Sequence, residues 1–202
     1  MNRIEVNMAA IILSAGESRR MGTPKALLHF RGQTFLDGLI ARFETHCDPV
    51  IVVLGHDADR IRSAITPAAR VAINPHYALG MLTSLQCGLR ALPEPFSHAV
   101  FTLVDHPDPA DATIAAVVNA PAAPVVIPRF EGRKGHPVRL SRAVIEELLA
   151  LPPSAKPTDV LYRHLEATRF LDTGDPGVVD DVDDRAAYLD LLSRDRKGVV
   201  AR

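Results

Sequence analysis

The chain has 202 residues, 47% of them hydrophobic and 23% charged, with a formal net charge of −1. That composition supports a full buried core and excludes a disordered chain. The near-neutral balance leaves no basic footprint for nucleic acid, and no apolar run reaches the length of a membrane span.

The N-terminal MNRIEVNMAA lacks a signal-peptide hydrophobic region, so a cytoplasmic protein is expected. Met8 to Leu13 then forms an apolar run suited to a buried strand, and it breaks at Ser14 into small and polar residues. A short strand-like piece over 26–30 and a turn at Arg31-Gly32 precede a helix carrying Phe35, Leu36, Leu39, Ile40 and Phe43. Pro49 stops that helix. Val50 to Leu54 reads as a second strand, Asp57 as the cap of a helix with Ile61 and Ile65 inward, and Val71 to Ile73 as a third strand. The next helix starts near Gly80 with Leu82, Leu85, Leu89 and Leu92 on its apolar face and Thr83, Ser84 and Gln86 off it.

A fourth strand, Ala99 to Val104, runs into Asp105, and Asp111 is expected to cap a helix through Val118. Val125 to Ile127 is a strand, 129–135 a loop, Val138 to Leu140 a strand and Ser141 a helix cap. A Pro-rich break leads to a short helix around 160–165. Phe170-Leu171 and Val178-Val179 read as late strands, and the last helix ends near Leu192. Strands alternating with helices predict a three-layer α/β/α Rossmann-like domain with a mostly parallel sheet. One domain is expected over 1–202, with its core at about 8–193 and a loose tail over 194–202. Cys47 and Cys87 lack C-x-x-C spacing and read as reduced thiols.

The break after the first strand gathers Arg19, Arg20 and Lys25 against one acid, Glu17. A Gly-containing loop there can aim backbone N–H groups at a phosphate chain, with the cations beside them. On composition alone it reads equally well as a surface loop with scattered charges. Gly16 and Gly22 are spaced wrongly for a P-loop, and no G-x-G-x-x-G is present.

The pattern L-x-A-G-x-S-x-R-M-G-x-P-K, here Leu13, Ala15, Gly16, Ser18, Arg20, Met21, Gly22, Pro24 and Lys25, resembles the signature loop of the MobA-like nucleotidyltransferases. The Ala before Gly16 and the Pro before Lys25 are similar to the molybdenum cofactor cytidylyltransferases. Asp105-His106-Pro107 resembles the family's Asp-x-Pro metal motif, with His106 in place of the usual middle residue. Asp105 also ends an apolar strand, where open parallel sheets bind ligands, although an Asp opening a turn fits there too. Asn74-Pro75, Gly80-Met81 and Ser84-Leu85 are similar to the family segment N-P-x-x-x-x-G-M-x-x-S-L, and Gly135-His136-Pro137 to its G-H-P motif. Among Asp180, Asp181, Asp183 and Asp184, a run that also suits a solvated face, Asp183 resembles the second metal contact.

The resemblance implies transfer of a nucleoside monophosphate, CMP from CTP, to a phosphorylated acceptor, with molybdopterin implied. Arg20, Lys25 and Asp105 are the expected catalytic residues. Leu13, Ala15, Gly16, Ser18, Gly22, Asn74, Gly80 and Ser84 join Arg20 and Lys25 in binding nucleotide. Gly135 and His136 bind acceptor, and Asp105 with Asp183 holds Mg2+, with Mn2+ as the alternative. Small-molecule substrates are the expected partners, with a molybdoenzyme or its maturation chaperone beside them. A sugar phosphate or alcohol phosphate acceptor, or a non-catalytic nucleotide- or cofactor-binding module, are the competing readings.

Overall fold

In the computed structural model, residues 8–66 and 69–200 are described, the side chains of 196–200 excepted. The N-terminal heptad and the last two residues, to which the readings of targeting and of the tail extend, lie outside that range.

The first strand, β1 (Ala9–Ser14), is buried along its whole length. It alternates cleanly: Ala10 and Ile12 enter one core, while Ala9, Ile11 and Leu13 enter the other. A strand covered on both faces needs apolar residues at every position, which is why the run is continuous. A hairpin of β2 (His29–Phe30) and β3 (Gln33–Thr34) leads to α1 (Phe35–Glu44), where the Thr34 side chain accepts from the Asp37 N–H. Then come β4 (Val50–Leu54), α2 (Ala58–Ala64), β5 (Arg70–Ile73), α3 (Met81–Arg90) and β6 (His98–Leu103). They are followed by α4 (Asp111–Val118), β7 (Val125–Phe130), β8 (Arg133–Lys134), β9 (Val138–Ser141), α5 (Arg142–Ala150), α6 (Pro157–Arg163), β10 (Arg169–Asp172) and α7 (Arg185–Val200).

The main sheet has the order β10-β7-β9-β6-β1-β4-β5, with β8 paired to β7. β1 runs parallel to β4 and β6, and β5 parallel to β4; β9 is antiparallel to both its neighbours. Helices α1, α2, α4 and α7 contribute to one core and α3, α5 and α6 to the other. The expected α/β architecture with a mostly parallel sheet is therefore present. Among the described residues no helix is long and apolar enough to cross a membrane.

Several local expectations fail for identifiable reasons. Residues 25–27 form a short 3-10 turn rather than a strand. Asp57 does occupy the N-cap of α2, but in a left-handed conformation with no side-chain cap bond, and Asp111 lies inside α4 rather than capping it. Thr83, Ser84 and Gln86 are buried beside the leucines of α3, because Gln86 donates to the Leu148 and Leu151 carbonyls of the neighbouring layer. The loop expected over 129–135 is a hairpin: Glu131 and Gly132 both have positive φ, the two-residue turn that matches strand twist. Val178-Val179 is no strand, since Pro176–Val178 is a 3-10 turn in which Asp175 accepts from Gly177 N–H. The last helix continues past Leu192 to Val200, and Arg194 and Asp195 pair with Asp180 and Arg31.

Candidate active site

In the sheet register Leu13 lies beside Leu103 and Val53, and Leu54 beside Ser14 and Ile73. The loops leaving the carboxyl ends of β1, β4, β5 and β6 therefore open on the same edge. The chain moves outward from β1 to β4 and β5, then returns to the other flank of β1 as β6. Such a reversal opens a crevice between the strand ends, the usual ligand position in open α/β sheets. A cleft of about 410 Å³ lies there.

Its floor and one wall come from Leu13, Ser14, Ala15, Gly16, Ser18, Arg19, Arg20, Pro24 and Lys25. The loop is held by its own backbone: the Ser18 carbonyl accepts from Met21 and Gly22, and the Ser18 hydroxyl accepts from Lys25 N–H at 3.1 Å. Ser18 and Gly22 both have positive φ, which curls the loop back on itself. That curl carries the Lys25 ammonium to the strand ends, where its side chain is 11% exposed. Its Nζ lies 3.1 Å from Asp105 Oδ2 and 2.8 Å from Asp183 Oδ1, and an Arg20 guanidinium nitrogen lies 2.7 Å from Asp183 Oδ2. The Lys25 ammonium, with Arg20 beside it, holds the Asp183 carboxyl below the usual carboxylate range. Asp105 Oδ1 is buried with no hydrogen-bond partner.

The acidic run is sorted by its neighbours. Val182 N–H donates to the Asp105 carbonyl, which brings Asp183 opposite Asp105. Asp180 pairs with Arg194, Asp181 is exposed, and Asp184 accepts from Ala187 N–H at the start of α7. Of these four acids, Asp183 alone lines the cleft. Among the described residues no group of three or more His, Cys, Asp or Glu is arranged to hold a metal ion. The protein supplies two carboxylates, one with a free buried oxygen. That donor set fits a hard divalent cation whose remaining ligands are substrate phosphates and water.

Tyr77, Gly80, Met81 and Ser84 form the opposite wall. Gly80 sits immediately before α3 with φ +114°, a conformation that side chains rarely adopt. Asn74 lies behind this wall: its amide nitrogen donates to Thr83 and Ser84 hydroxyls at 3.0 Å each, and its Oδ1 accepts from His76 N–H. Gly22 and Asn74 thus brace the cleft without lining it. Gly135 and His136 are one strand over. Gly135 packs against the Val178 backbone, and the His136 ring stacks tilted on His106 at 4.9 Å. Neither of them lines the cleft. Burial pushes the His136 imidazole down to about 3 and lowers that of His106 as well.

The sequence reading missed Tyr77. Its hydroxyl lies 3.3 Å from His56 Nδ1, and its ring abuts Gly55, where a Cβ would fall 2.6 Å from the Tyr77 Cβ and 2.8 Å from the Ala15 carbonyl. The glycine directly after β4 was the available signal, because such a glycine often marks close backbone approach.

The chain is 27% identical over 144 residues to the molybdenum cofactor cytidylyltransferase of Escherichia coli strain K12, covering 70% of this chain and 74% of that protein. It is 34% identical over 116 residues to the probable molybdenum cofactor guanylyltransferase of Rhodopirellula baltica, covering 56% and 55% respectively. Rv0371c of Mycobacterium tuberculosis H37Rv, solved in complex with manganese, superposes with a TM-score of 0.78 at 28% identity, over 93% of this chain and 98% of that one. Residues 10–168 match the MobA-like NTP transferase domain; the match includes the loop after β1, Asp105 and the Tyr77–Ser84 wall, and Asp183 lies beyond it. The chain belongs to the MobA-like NTP transferase family.

Proposed function

We propose that this nucleotidyltransferase moves CMP from CTP onto the phosphate of a molybdopterin-type acceptor in the cytoplasm, as one domain, with release of pyrophosphate. The observation that carries the reading is the cluster of Lys25, Arg20, Asp105 and Asp183 at the mouth of a cleft with an open glycine wall. The acceptor phosphate forms a new bond to the α-phosphorus as the bond to the β-phosphate oxygen breaks. The nucleophile is already an anion, so no general base is needed. Arg20 and Lys25 bind and orient the triphosphate, and the Gly16 backbone lets it approach closely. Asp105 and Asp183 would hold Mg2+, or the Mn2+ seen in the mycobacterial relative, which would offset charge on the α-phosphate and the leaving pyrophosphate. Gly80 and Ser84 would face the nucleoside. His136 and Gly135 would meet the acceptor beyond His106, along the same sheet edge.

The likeness to a cytidylyltransferase and the Ala15 and Pro24 loop positions support CTP. Pyrophosphate release measured with CTP or GTP and molybdopterin, a sugar phosphate or an alcohol phosphate tests the assignment. Turnover with CTP and molybdopterin is expected. Faster turnover with GTP or with another acceptor would replace that part of the reading, and no release with any pair would leave a binding module.

A further inference from the structure

Two demands converge on Lys25. In the free protein its ammonium lies between Asp105 Oδ2 and Asp183 Oδ1, at 3.1 and 2.8 Å, and Arg20 takes the other oxygen of Asp183. Two carboxylates thereby meet two fixed cations, and the cluster is neutral. A divalent cation coordinated by both acids needs oxygen contacts of roughly 2.0–2.6 Å, which puts it in the gap the ammonium fills. A bare divalent ion approaching this cluster gains little Coulomb energy and must expel a cation. A cation arriving on a triphosphate meets different conditions, because the phosphates are a competing partner for Lys25 and Arg20.

We infer that Lys25 is a displaceable counter-ion: it occupies the divalent-cation seat until a nucleoside triphosphate draws it away, so that cation and nucleotide bind as a coupled pair. This rests on the assignment of the cleft to a nucleoside triphosphate and a divalent cation. Asp105 Oδ1 is buried without a hydrogen-bond partner, so the Lys25 pairing leaves one carboxylate oxygen of the seat unsatisfied in the free protein. Coupling of this kind is reciprocal, so the cation tightens nucleotide binding by the same factor.

The test is Mn2+ titration of the full chain, with free Mn2+ read from its electron paramagnetic resonance signal. It is run with and without α,β-methylene-CTP, which cannot transfer its nucleotide. Wild type is expected to bind Mn2+ at least about tenfold more tightly with the analogue present. Lys25→Met and Lys25→Gln, with folding checked by circular dichroism, are expected to gain at least about tenfold in Mn2+ affinity without nucleotide. Adding Asp183→Asn to Lys25→Met should remove that gain. If both folded Lys25 variants bind bare Mn2+ no more tightly than wild type, the counter-ion role is overturned. Should they fail to fold, equal wild-type Mn2+ affinity with and without bound analogue overturns it instead. An analogue that does not bind at all sinks the nucleotide assignment, while the gain in Lys25→Met still reads the exchange.

Discussion

Arg42 on α1 grips the loop after β6 at two points, donating to the Asp108 carboxylate at 3.0 Å and to the Pro109 carbonyl at 2.6 Å. Arg31 reaches the same carboxylate from the β2–β3 turn, and Asp175 accepts from Ala110 N–H. The segment that begins with Asp105 is thereby tied to three separate parts of the chain. Removing one partner of a part-buried ionic hydrogen bond commonly costs about 1–3 kcal/mol. Arg42→Met keeps most of the stem and should lose stability in that range, read by urea unfolding. It should also lower kcat more than it raises the KM for nucleotide, since Asp105 would be less well held. Unchanged unfolding would show that Arg31 and Asp175 restrain the loop without Arg42.

Asp183 gives a test in the acid range. Lys25 and then Arg20 hydrogen-bond its charged form, so its folded pKa is depressed. A depressed carboxyl contributes stability above its unfolded value, near 3.9, and loses it as pH falls through the lower folded value. The side chain is 36% exposed, so solvent screening keeps the contribution to at most about 1 kcal/mol. Asp183→Asn should therefore be slightly less stable than wild type at neutral pH, with the gap closing on strong acidification. Thermal melts across that range check it.

The two stacked histidines act in a higher window. Desolvation pushes His136 down to about 3 and lowers His106, with Asp105 pulling the other way on both. As pH falls below about 6.5 the unfolded chain takes up protons that the native rings refuse, so stability declines on acidification. Each such histidine contributes a slope of up to about 1.4 kcal/mol per pH unit. His136→Phe preserves a ring against Phe101 and His106 and removes one titration. Its stability should fall less steeply than that of wild type between about pH 7 and pH 5. Parallel slopes in urea unfolding would show that the native His136 takes up its proton in the same range as the unfolded chain.

What could be read from the sequence divides along local and non-local causes. The strand that leads into Leu13 to Lys25 was legible from its apolar run, but the loop after it needed the resemblance, since its composition suits a surface loop with scattered charges equally well. Asp105 needed its position and the resemblance together, because an Asp that ends an apolar strand can also open a turn. Asp183 needed the resemblance, since what separates it from Asp180, Asp181 and Asp184 is contacts of the folded chain, among them the Val182–Asp105 backbone bond and the Asp180–Arg194 pair. Tyr77 was signalled only indirectly, by the glycine after β4, because its place is set by contact with Gly55 from a different strand end. The Glu131-Gly132 hairpin was missed because Glu is an uncommon residue at a positive-φ turn position. Val178-Val179 misled because two apolar residues also suit a buried 3-10 turn.

Gly55 should be intolerant of a side chain. A Cβ there would stand 2.6 Å from the Tyr77 Cβ and 2.8 Å from the Ala15 carbonyl, which already accepts from His56 N–H at 3.1 Å. Backbone and ring cannot both yield without moving two walls of the cleft. Gly55→Ala should raise the KM for nucleotide at least about tenfold and destabilise by roughly 1–3 kcal/mol, as overpacking does. Nucleotide titration by calorimetry beside urea unfolding separates the two effects. Unaltered binding would mean that Tyr77 does not shape the nucleotide site.

Gly80 should be equally intolerant, for a different reason. A Cβ at Gly80 would meet nothing within 4 Å, so crowding is not the obstacle. The obstacle is the backbone, whose φ of +114° and ψ of 178° lie where residues with a Cβ are strained. Gly80→Ala must either keep that conformation at about 1–3 kcal/mol or relax it and shift the start of α3. The second course would disturb Thr83, whose hydroxyl donates toward the Gly80 carbonyl at 2.9 Å, and through Asn74 would also disturb Ser84. The two courses can be told apart. Retained geometry lowers the urea midpoint and leaves nucleotide affinity near wild type, whereas relaxation spares stability and weakens affinity. Asn74→Ala in the wild-type background should weaken nucleotide binding while keeping glycine at position 80, and so reports the bracing of Thr83 and Ser84 together. A Gly80→Ala protein matching wild type in both measurements would mean that the positive φ at this position is not required.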